Sequence, residues 1–215
     1  MLLAIDTATN HASIALHDGS FLRGECTWES PNRHTVTLVP RINQMLQASE
    51  LTPEDLSAIA ICIGPGSYTG VRIGVSVAKG LASAQKVPLI GVSTLDILVA
   101  AYPQDARPLY ALYAAGRKRA GYARYRWTDE GWKAETSISV ADWEKLAGQI
   151  VLPAILLGEI NVQGLEALRT LYGRIEIPPP AQHLRRAGFL ADLAWVRLRA
   201  NQVDDPAALV PVYTR

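Results

Sequence analysis

The order of the apolar segments is the feature that most constrains how this chain can fold. Three strand-like runs open the chain, and helical and strand-like segments then alternate up to about residue 101. After a polar stretch with two prolines, residues 102–108, the same order begins again. Strands that alternate with helices are typical of α/β folds, so a repeated order predicts a duplicated fold. The predicted opening strands are residues 2–6, 12–17 and 21–27 in the first half and 109–114, 121–127 and 133–140 in the second.

The proline-containing stretch is the best candidate for a linker, because prolines and polar residues between regular patterns mark loops. We therefore divide the chain into two domains, residues 1–103 and 104–215. The second domain ends in a predicted helix at residues 182–200, which follows a run of prolines. The helix and tail from about residue 183 have a second possible placement, packed back on the first half.

Composition indicates a folded, soluble chain and excludes several classes of protein. With 215 residues, 49% hydrophobic and 19% charged, the chain can bury a core. No apolar stretch approaches the roughly 20 residues of a membrane span, and the start has no basic signal segment, so we expect neither. Cys26 and Cys62 form no CxxC pair, which favours a reducing, cytoplasmic location. A net charge of +1 gives no general attraction to nucleic acid, so RNA contact requires a local patch.

The most informative stretch is a glycine-rich loop between a continuous apolar run, residues 58–63, and a predicted helix, residues 70–84. It reads Gly-Pro-Gly-Ser-Tyr-Thr-Gly from Gly64 to Gly70. Backbone N–H groups and the helix dipole at such a junction favour an anion. The loop nevertheless lacks the Gly-Lys-Ser/Thr ending of a Walker A loop, and a dinucleotide fingerprint would need glycine at Thr69. Two interpretations stay open: a phosphate cradle, or a tight turn that packs the helix against the strand.

The end of the first strand, Asp6-Thr7-Ala8-Thr9, is a second candidate for anion binding. An acid and hydroxyls at a strand end can face a nucleotide phosphate and its Mg²⁺. In the alternative interpretation, Asp6 or Thr7 satisfies backbone amides of the turn. The nucleotide- or anion-binding candidates are Asp6, Thr7, Gly64, Gly66, Ser67 and Thr69.

The helix after the loop carries small residues at steps of four. Glycine costs about 1 kcal/mol relative to alanine in a helix interior, so its glycines need a packing reason. Small side chains allow close approach of another element, either the helix predicted at residues 33–49 or a partner subunit. The partner-interface candidates are Leu38, Ile42, Met45, Gly70, Gly74, Ala78 and Ala82.

Basic and aromatic residues concentrate in one segment, residues 117–127. On a strand, Tyr122, Arg124 and Arg126 share one face, which suits contacts with RNA phosphates and bases. The alternative is an edge strand whose arginines are solvated and prevent edge pairing. The RNA-contact candidates are Arg117, Arg124 and Arg126. The four histidines form no HxxxH pair, and we predict no metal site.

Several of these motifs together resemble the TsaB family, also called YeaZ. They are the first-strand segment at residues 3–9, the loop at 64–74 with the following Ala-Lys-Gly-Leu-Ala, and the terminal Pro-Val-Tyr-Thr-Arg. The resemblance is strong over the first half, weak over residues 109–180, and returns at the C-terminus. It implies a duplicated actin-like (ASKHA, ribonuclease-H-like) α/β fold with two βββαβα-type halves, which agrees with the repeated order of segments.

The resemblance also implies a subunit of the bacterial machinery that makes threonylcarbamoyladenosine in tRNA. A catalytic paralogue, TsaD, transfers threonylcarbamoyl to adenosine 37 and holds its metal with an HxxxH pair. The matching positions here are Thr94 and Leu98, and a leucine cannot bind a metal. The implied partners are TsaD in a heterodimer and the ATPase TsaE, with a homodimer when the chain is alone and tRNA held mainly by the partners. No cofactor is implied for the chain itself, and ATP with Mg²⁺ only at the level of the complex.

Two departures from the family pattern point away from nucleotide hydrolysis. The actin-like phosphate motif has a glycine at the position of Ala8, and many family members have Asp-Ala-Arg where this chain has Ala115-Gly116-Arg117. The first hypothesis is therefore a cytoplasmic, non-catalytic dimerisation subunit that uses the helices at about 33–49 and 70–84. The alternative is a nucleotide-dependent enzyme of the actin-like class, an ATPase or phosphotransferase, with Asp6 holding Mg²⁺. A third hypothesis is direct tRNA binding by the basic segment.

Overall fold

The computed structural model describes residues 1–31, 33–116 and 118–214, which divide into two compact units. Unit 1 contains Met1–Ile97 and Arg186–Tyr213, and unit 2 contains Leu98–Arg185 with Thr214. The first segment of unit 1 ends inside the helix that precedes the predicted linker. The C-terminal helix also belongs to unit 1. No helix of the described residues is long and apolar enough to cross a bilayer.

The first half of the chain has the predicted order of elements. A tight turn joins the second and third strands: Asp18 Oδ1 accepts hydrogen bonds from the N–H groups of Ser20 and Phe21, and Gly19 has a positive φ of 99°. The elements are β1 (Leu2–Asp6), β2 (His11–His17), β3 (Leu22–Glu29), α1 (His34–Ala48), a 3₁₀ turn (Pro53–Asp55), β4 (Ala58–Cys62), α2 (Tyr68–Gln85), β5 (Leu89–Val92) and α3 (Thr94–Ala100).

The second half repeats this order with two differences from the prediction. The elements are β6 (Leu109–Ala114), β7 (Arg119–Thr128), β8 (Gly131–Ala134), β9 (Ser139–Asp142), α4 (Trp143–Gln149), β10 (Ala154–Gly158), α5 (Val162–Leu168), a 3₁₀ turn (Arg169–Leu171), β11 (Ile175–Glu176), a 3₁₀ turn (Pro180–His183) and α6 (Ala187–Arg199). The single strand predicted at residues 133–140 is wrong. The segment forms β8 and β9, which pair with opposite ends of β7, so the chain leaves the sheet between them.

The second difference is the start of the last helix, predicted at residue 182 and found at Ala187. The preceding residues form the short 3₁₀ turn instead. His183 holds this turn in place, because its Nε2 lies 2.6 Å from the carbonyl oxygen of Pro178 and its Nδ1 accepts a hydrogen bond from Gly158 N at 2.9 Å. These contacts are tertiary, so the local pattern did not indicate them.

The two sheets have the same strand order. The first is β3-β2-β1-β4-β5, and the second is β8-β7-β6-β10-β11, with β9 as an additional strand on β7. In each sheet the first strand pairs antiparallel with the second and parallel with the fourth of the repeat. The prediction of two βββαβα-type halves is therefore confirmed.

The core of unit 1 surrounds two fully buried strands, β1 and β4. Strands buried on both faces read as continuous apolar runs, which is why no alternation is visible in these segments. The buried stripe of α1 repeats every four residues, at His34, Leu38, Ile42 and Leu46. Helix α6 adds its small residues to the same core. Unit 2 has its own core around Trp143.

Candidate functional site

The glycine-rich loop before α2 lies directly against the turn between β1 and β2. Ser67 N donates a hydrogen bond to the carbonyl oxygen of Ala8 at 2.6 Å, and Thr7 Oγ1 donates to the carbonyl oxygen of Gly70 at 2.7 Å. Within the turn, Ala8 N donates to Asp6 Oδ1 at 2.8 Å. The two segments that the sequence marks as anion-binding candidates are thus in contact with each other.

The glycines of the loop and of α2 leave room for this turn. A Cβ atom at Gly66 would overlap the carbonyl oxygen of Ala8, and one at Gly70 would overlap that of Thr7. One turn further along α2, a Cβ atom at Gly74 would overlap Thr7 Oγ1. The packing reason for these three glycines is therefore internal, because the backbone of the turn or the Thr7 hydroxyl lies where their side chains would be.

Local hydrogen bonds occupy polar groups of the loop. Ser67 caps α2, since its Oγ accepts a hydrogen bond from Gly70 N at 3.2 Å. Asp6 and Thr7 are buried, whereas Ser67 and Thr69 are exposed. Gly64 has a positive φ of 94°, and a side chain there would come within 2.8 Å of the carbonyl oxygen of Val212. Anion binding at the six candidate residues stays a prediction, and this geometry is that of a turn that packs the helix on the strand.

The side chains predicted to contact a partner are mostly inside unit 1. Leu38, Ile42, Gly70, Gly74, Ala78 and Ala82 are all buried. The structure therefore covers these side chains within the chain itself, and contact with a partner through them stays a prediction. The small residues among them, all on α2, allow the close contact of this helix with the first sheet. Met45, the remaining candidate, is half-buried and packs on the same core.

The opposite side of the two helices is exposed and mostly uncharged, with three large hydrophobic side chains on it. Val36 is 60% exposed, Val39 45% and Tyr68 58%. A groove of about 490 Å³ lies on this side, with Tyr68 in its lining. Its lining residues are Thr35, Tyr68, Thr69, Arg72, Ile73, Ser76 and Val77. We call the exposed sides of α1 and α2, together with this groove, the outer face. Once the buried stripe of each helix is known, helical periodicity identifies the remaining residues as exposed.

The C-terminal tail adds to the site in a way that sequence analysis did not predict. Val212 N donates a hydrogen bond to the carbonyl oxygen of Ile63 at 2.8 Å, at the start of the loop. The next residue, Tyr213, stacks on Tyr68 with ring centroids 5.0 Å apart. The terminal motif had entered the sequence analysis only through the family resemblance. Its position beside the loop gives it a structural role.

The basic segment lies mostly on β7, and two of its arginines share an acidic partner. Arg124 Nε lies 2.8 Å from Glu135 Oε2, and Arg126 Nε lies 2.6 Å from Glu135 Oε1. The hydrogen bond from Arg126 is the main cause that lowers the pKa of the Glu135 carboxyl. An RNA phosphate would have to compete with this carboxylate. Contact with RNA stays a prediction, and the third candidate, Arg117, lies outside the described residues.

The two positions that the family resemblance matches to a metal pair, Thr94 and Leu98, are buried. Thr94 Oγ1 lies 3.1 Å from Cys62 Sγ, so its hydroxyl has a partner in unit 1. Leu98 is likewise almost inaccessible to solvent. Among the described residues, no group of three or more His, Cys, Asp or Glu side chains could hold a metal ion.

The sheet order and its repetition define the chain as a protein of the duplicated actin-like class. The fold of the ethanolamine utilization protein EutJ from Carboxydothermus hydrogenoformans is similar, with a TM-score of 0.51 at 10% identity over 87% of this chain and 88% of that one. A much closer likeness, with a TM-score of 0.78 at 28% identity, is to YeaZ from Pseudomonas aeruginosa, over 99% of both chains.

Sequence comparison gives the family within this class. TsaB from Bacillus subtilis, named a tRNA threonylcarbamoyladenosine biosynthesis protein, is 30% identical over 100% of this chain and 93% of its own length. Escherichia coli TsaB is 43% identical over 94 residues, which are 44% of this chain and 40% of that protein. Residues 29–190 match the family model of TsaD, described as tRNA N6-adenosine threonylcarbamoyltransferase. The chain belongs to the TsaB (YeaZ) family.

Proposed function

We propose that this chain is a non-catalytic subunit of the machinery that forms threonylcarbamoyladenosine in tRNA. It pairs with a catalytic paralogue of the TsaD type and supports the transfer of threonylcarbamoyl to adenosine 37. The names of the Bacillus and Escherichia relatives support the pathway. The match to the TsaD family model supports common descent with the proposed partner.

The observation that carries the non-catalytic role is the contact between the loop and the β1–β2 turn. The glycines that would approach a phosphate instead approach the backbone of Thr7 and Ala8. Thr94 and Leu98, the positions that the family resemblance matches to the paralogue's metal ligands, are buried. The chain therefore acts through a surface, and the reaction takes place on the paralogue.

The surface that we assign to this role is the outer face. Interfaces combine an apolar centre with few charged residues, and α1 and α2 together contain no Asp or Glu. Val36, Val39 and the groove beside α2 give such a centre. The same face pairs two copies of the chain when the paralogue is absent. With a net charge of +1, the chain leaves most of the tRNA contact to its partners.

Reconstitution tests this function. The purified chain is mixed with the TsaD-type and TsaE-type proteins of its source organism, tRNA, ATP, Mg²⁺ and the threonylcarbamoyl donor, and modified adenosine is measured by mass spectrometry. We expect modification only when the chain and the paralogue are both present. Val39→Asp should weaken the heterodimer and lower the yield, whereas Val162→Asp, at an exposed position of α5, should change neither. Full modification without the chain would contradict the proposal.

Calorimetry with ATP and Mg²⁺ distinguishes the subunit from a nucleotide-dependent enzyme. We expect no binding to the isolated chain, because the loop contacts its own turn. Micromolar binding that Asp6→Ala abolishes, with the variant still folded by circular dichroism, would support the enzyme instead. If the isolated chain does not bind ATP, TsaE and ATP act only in the assembled complex.

A further inference from the structure

Three side chains form a cluster at the N-terminal end of α2: Tyr68, Arg72 and Tyr213. The guanidinium of Arg72 lies 5.0 Å from the centroid of the Tyr68 ring and donates a hydrogen bond to its hydroxyl. Tyr213 stacks on the same ring and is itself 48% exposed. Exposed Tyr and Arg side chains that already contact one another are the types that dominate binding energy at interfaces. We call these three residues the anchor cluster.

The C-terminal tail holds the anchor cluster in place. Val212 N donates a hydrogen bond to the carbonyl oxygen of Ile63, directly before Tyr213. Further back, the carboxylate of Asp204 accepts a hydrogen bond from Gly91 N at 2.7 Å. The course of the tail is thus fixed at two points before it reaches α2. A partner that binds Tyr213 therefore has less side-chain and backbone freedom to remove, which favours affinity.

The anchor cluster forms one end of the groove on the outer face. Tyr68 and Arg72 belong both to the cluster and to the groove lining. The lining continues along α2 with Ile73 and Val77. A bound segment that reaches the cluster would therefore also cover these aliphatic side chains. To match them, the segment must carry apolar side chains next to the group that contacts the cluster.

The charge of this region has no complement in the chain itself. Arg72 makes no ion pair with a carboxylate of the residues that the structure describes; its partner is the Tyr68 hydroxyl. Helices α1 and α2 contain no Asp or Glu, and the N-terminal end of a helix of 18 residues adds partial positive charge. Complementary charges give interfaces their specificity, so the group that fits here is an anion.

We propose that the anchor cluster binds a carboxylate of the partner protein, from an Asp or Glu flanked by apolar side chains. The guanidinium of Arg72 donates to the carboxylate, and the two tyrosine rings pack on its neighbours. This inference rests on the proposed function, because the partner is the TsaD-type paralogue. A protein segment fits better than RNA because Arg72 is the one cation among the described lining residues, and a phosphate backbone would need several.

Binding of the purified paralogue to full-length variants, measured by calorimetry at several salt concentrations, tests the anchor cluster. Arg72→Glu should weaken binding by about 30-fold or more, and Tyr213→Ala by about tenfold. Arg72→Gln should also flatten the dependence of the dissociation constant on salt, which a merely structural role would not do. Arg169→Glu, a charge reversal at an exposed arginine of unit 2, is the matched control and should bind like the unchanged protein.

The outcomes separate this inference from the function on which it rests. If the unchanged chain does not bind the paralogue, both are overturned. If it binds and Val39→Asp weakens the complex while Arg72→Glu and Tyr213→Ala stay within about threefold, the outer face is right and the anchor cluster is wrong. Loss of tRNA binding by the isolated chain, or of self-association alone, with paralogue affinity kept, would assign the cluster to RNA or to a second copy and overturn the inference.

Discussion

The two helix starts that follow β4 and β10 use the same local chemistry against different surroundings. Ser67 Oγ accepts a hydrogen bond from Gly70 N at 3.2 Å in unit 1, and Asn161 Oδ1 accepts one from Gly164 N at 2.9 Å in unit 2. Each cap is thus followed three residues later by a buried glycine. Gly70 packs on the backbone of the β1–β2 turn, but Gly164 packs on the indole of Trp143.

This difference shows how a duplicated motif can pack against two kinds of neighbour. Backbone cannot move without moving its strand, whereas an indole can shift within a core, so the glycine of unit 1 tolerates less change. The helices differ as well: α2 has 18 residues and α5 has seven. Only the longer helix, whose buried side is fixed by glycines on a strand turn, carries the groove and the anchor cluster on its other side.

The largest expected effect is that of Gly70→Ala, which tests whether the backbone of the β1–β2 turn excludes a side chain at this position. The added methyl group would overlap the carbonyl oxygen of Thr7, so the free energy of unfolding should fall by about 3 kcal/mol. Urea unfolding measures it. Gly80→Ala, in the same helix with no atom within 4 Å of the new methyl group, should instead add about 0.5–1 kcal/mol. Equal effects at the two glycines would contradict the packing described here.

Gly164→Ala is the matching change in unit 2 and should cost less, about 1–2 kcal/mol. The new methyl group would lie 2.8 Å from the ring of Trp143, a side chain that can rotate or shift. A double-mutant cycle with Trp143→Phe should show that the two changes compensate in part, since the smaller ring makes room. A cost above that of Gly70→Ala would reverse the comparison.

Thr7→Val removes the hydroxyl that joins the β1–β2 turn to α2. Because Thr7 Oγ1 donates to the carbonyl oxygen of Gly70 at 2.7 Å, the loss should be about 1 kcal/mol. Thr7→Ser keeps the donor and should recover most of the stability in thermal unfolding. If valine and serine are equivalent, the hydrogen bond does not hold the helix to the turn.

The smallest differences are expected at the caps, where the two units are alike. Ser67→Ala and Asn161→Ala should each lower the free energy of unfolding by about 1 kcal/mol. Glycine at either position should lower the free energy of unfolding by only a few tenths of a kcal/mol. A cap substitution in one unit that costs several times more than in the other would mean that the duplicated motif is not locally equivalent.

Much of the fold could be predicted because it depends on neighbouring residues. The apolar runs of β1 and β4 and the helical segment of α1 are local patterns, and the structure has these elements close to where they were predicted. The start of α6 and the division of residues 133–140 between β8 and β9 were missed. Both depend on contacts with residues distant in the sequence, namely those of His183 and the pairing of β7.

The candidate site was predicted as a set of segments and not as an arrangement. The sequence marked the β1–β2 turn and the loop separately, and the structure joins them through Thr7, Ala8 and Ser67. It marked Arg124 and Arg126 as RNA contacts, but nothing in the local pattern indicated that Glu135 pairs with both. Ion pairs between strands depend on the pairing register of the strands, which a single sequence indicates only weakly.

The sequence by itself determined that this chain has two α/β halves, a helix after a glycine-rich loop, and a stripe of small residues along that helix. Only the tertiary structure decided what lies against the stripe. Periodicity identifies one face of a helix but not its neighbour, since a strand turn and a partner subunit both require small side chains. The structure places Thr7 there, against Gly70 and Gly74, and leaves the outer face, with Tyr213 beside Tyr68, exposed.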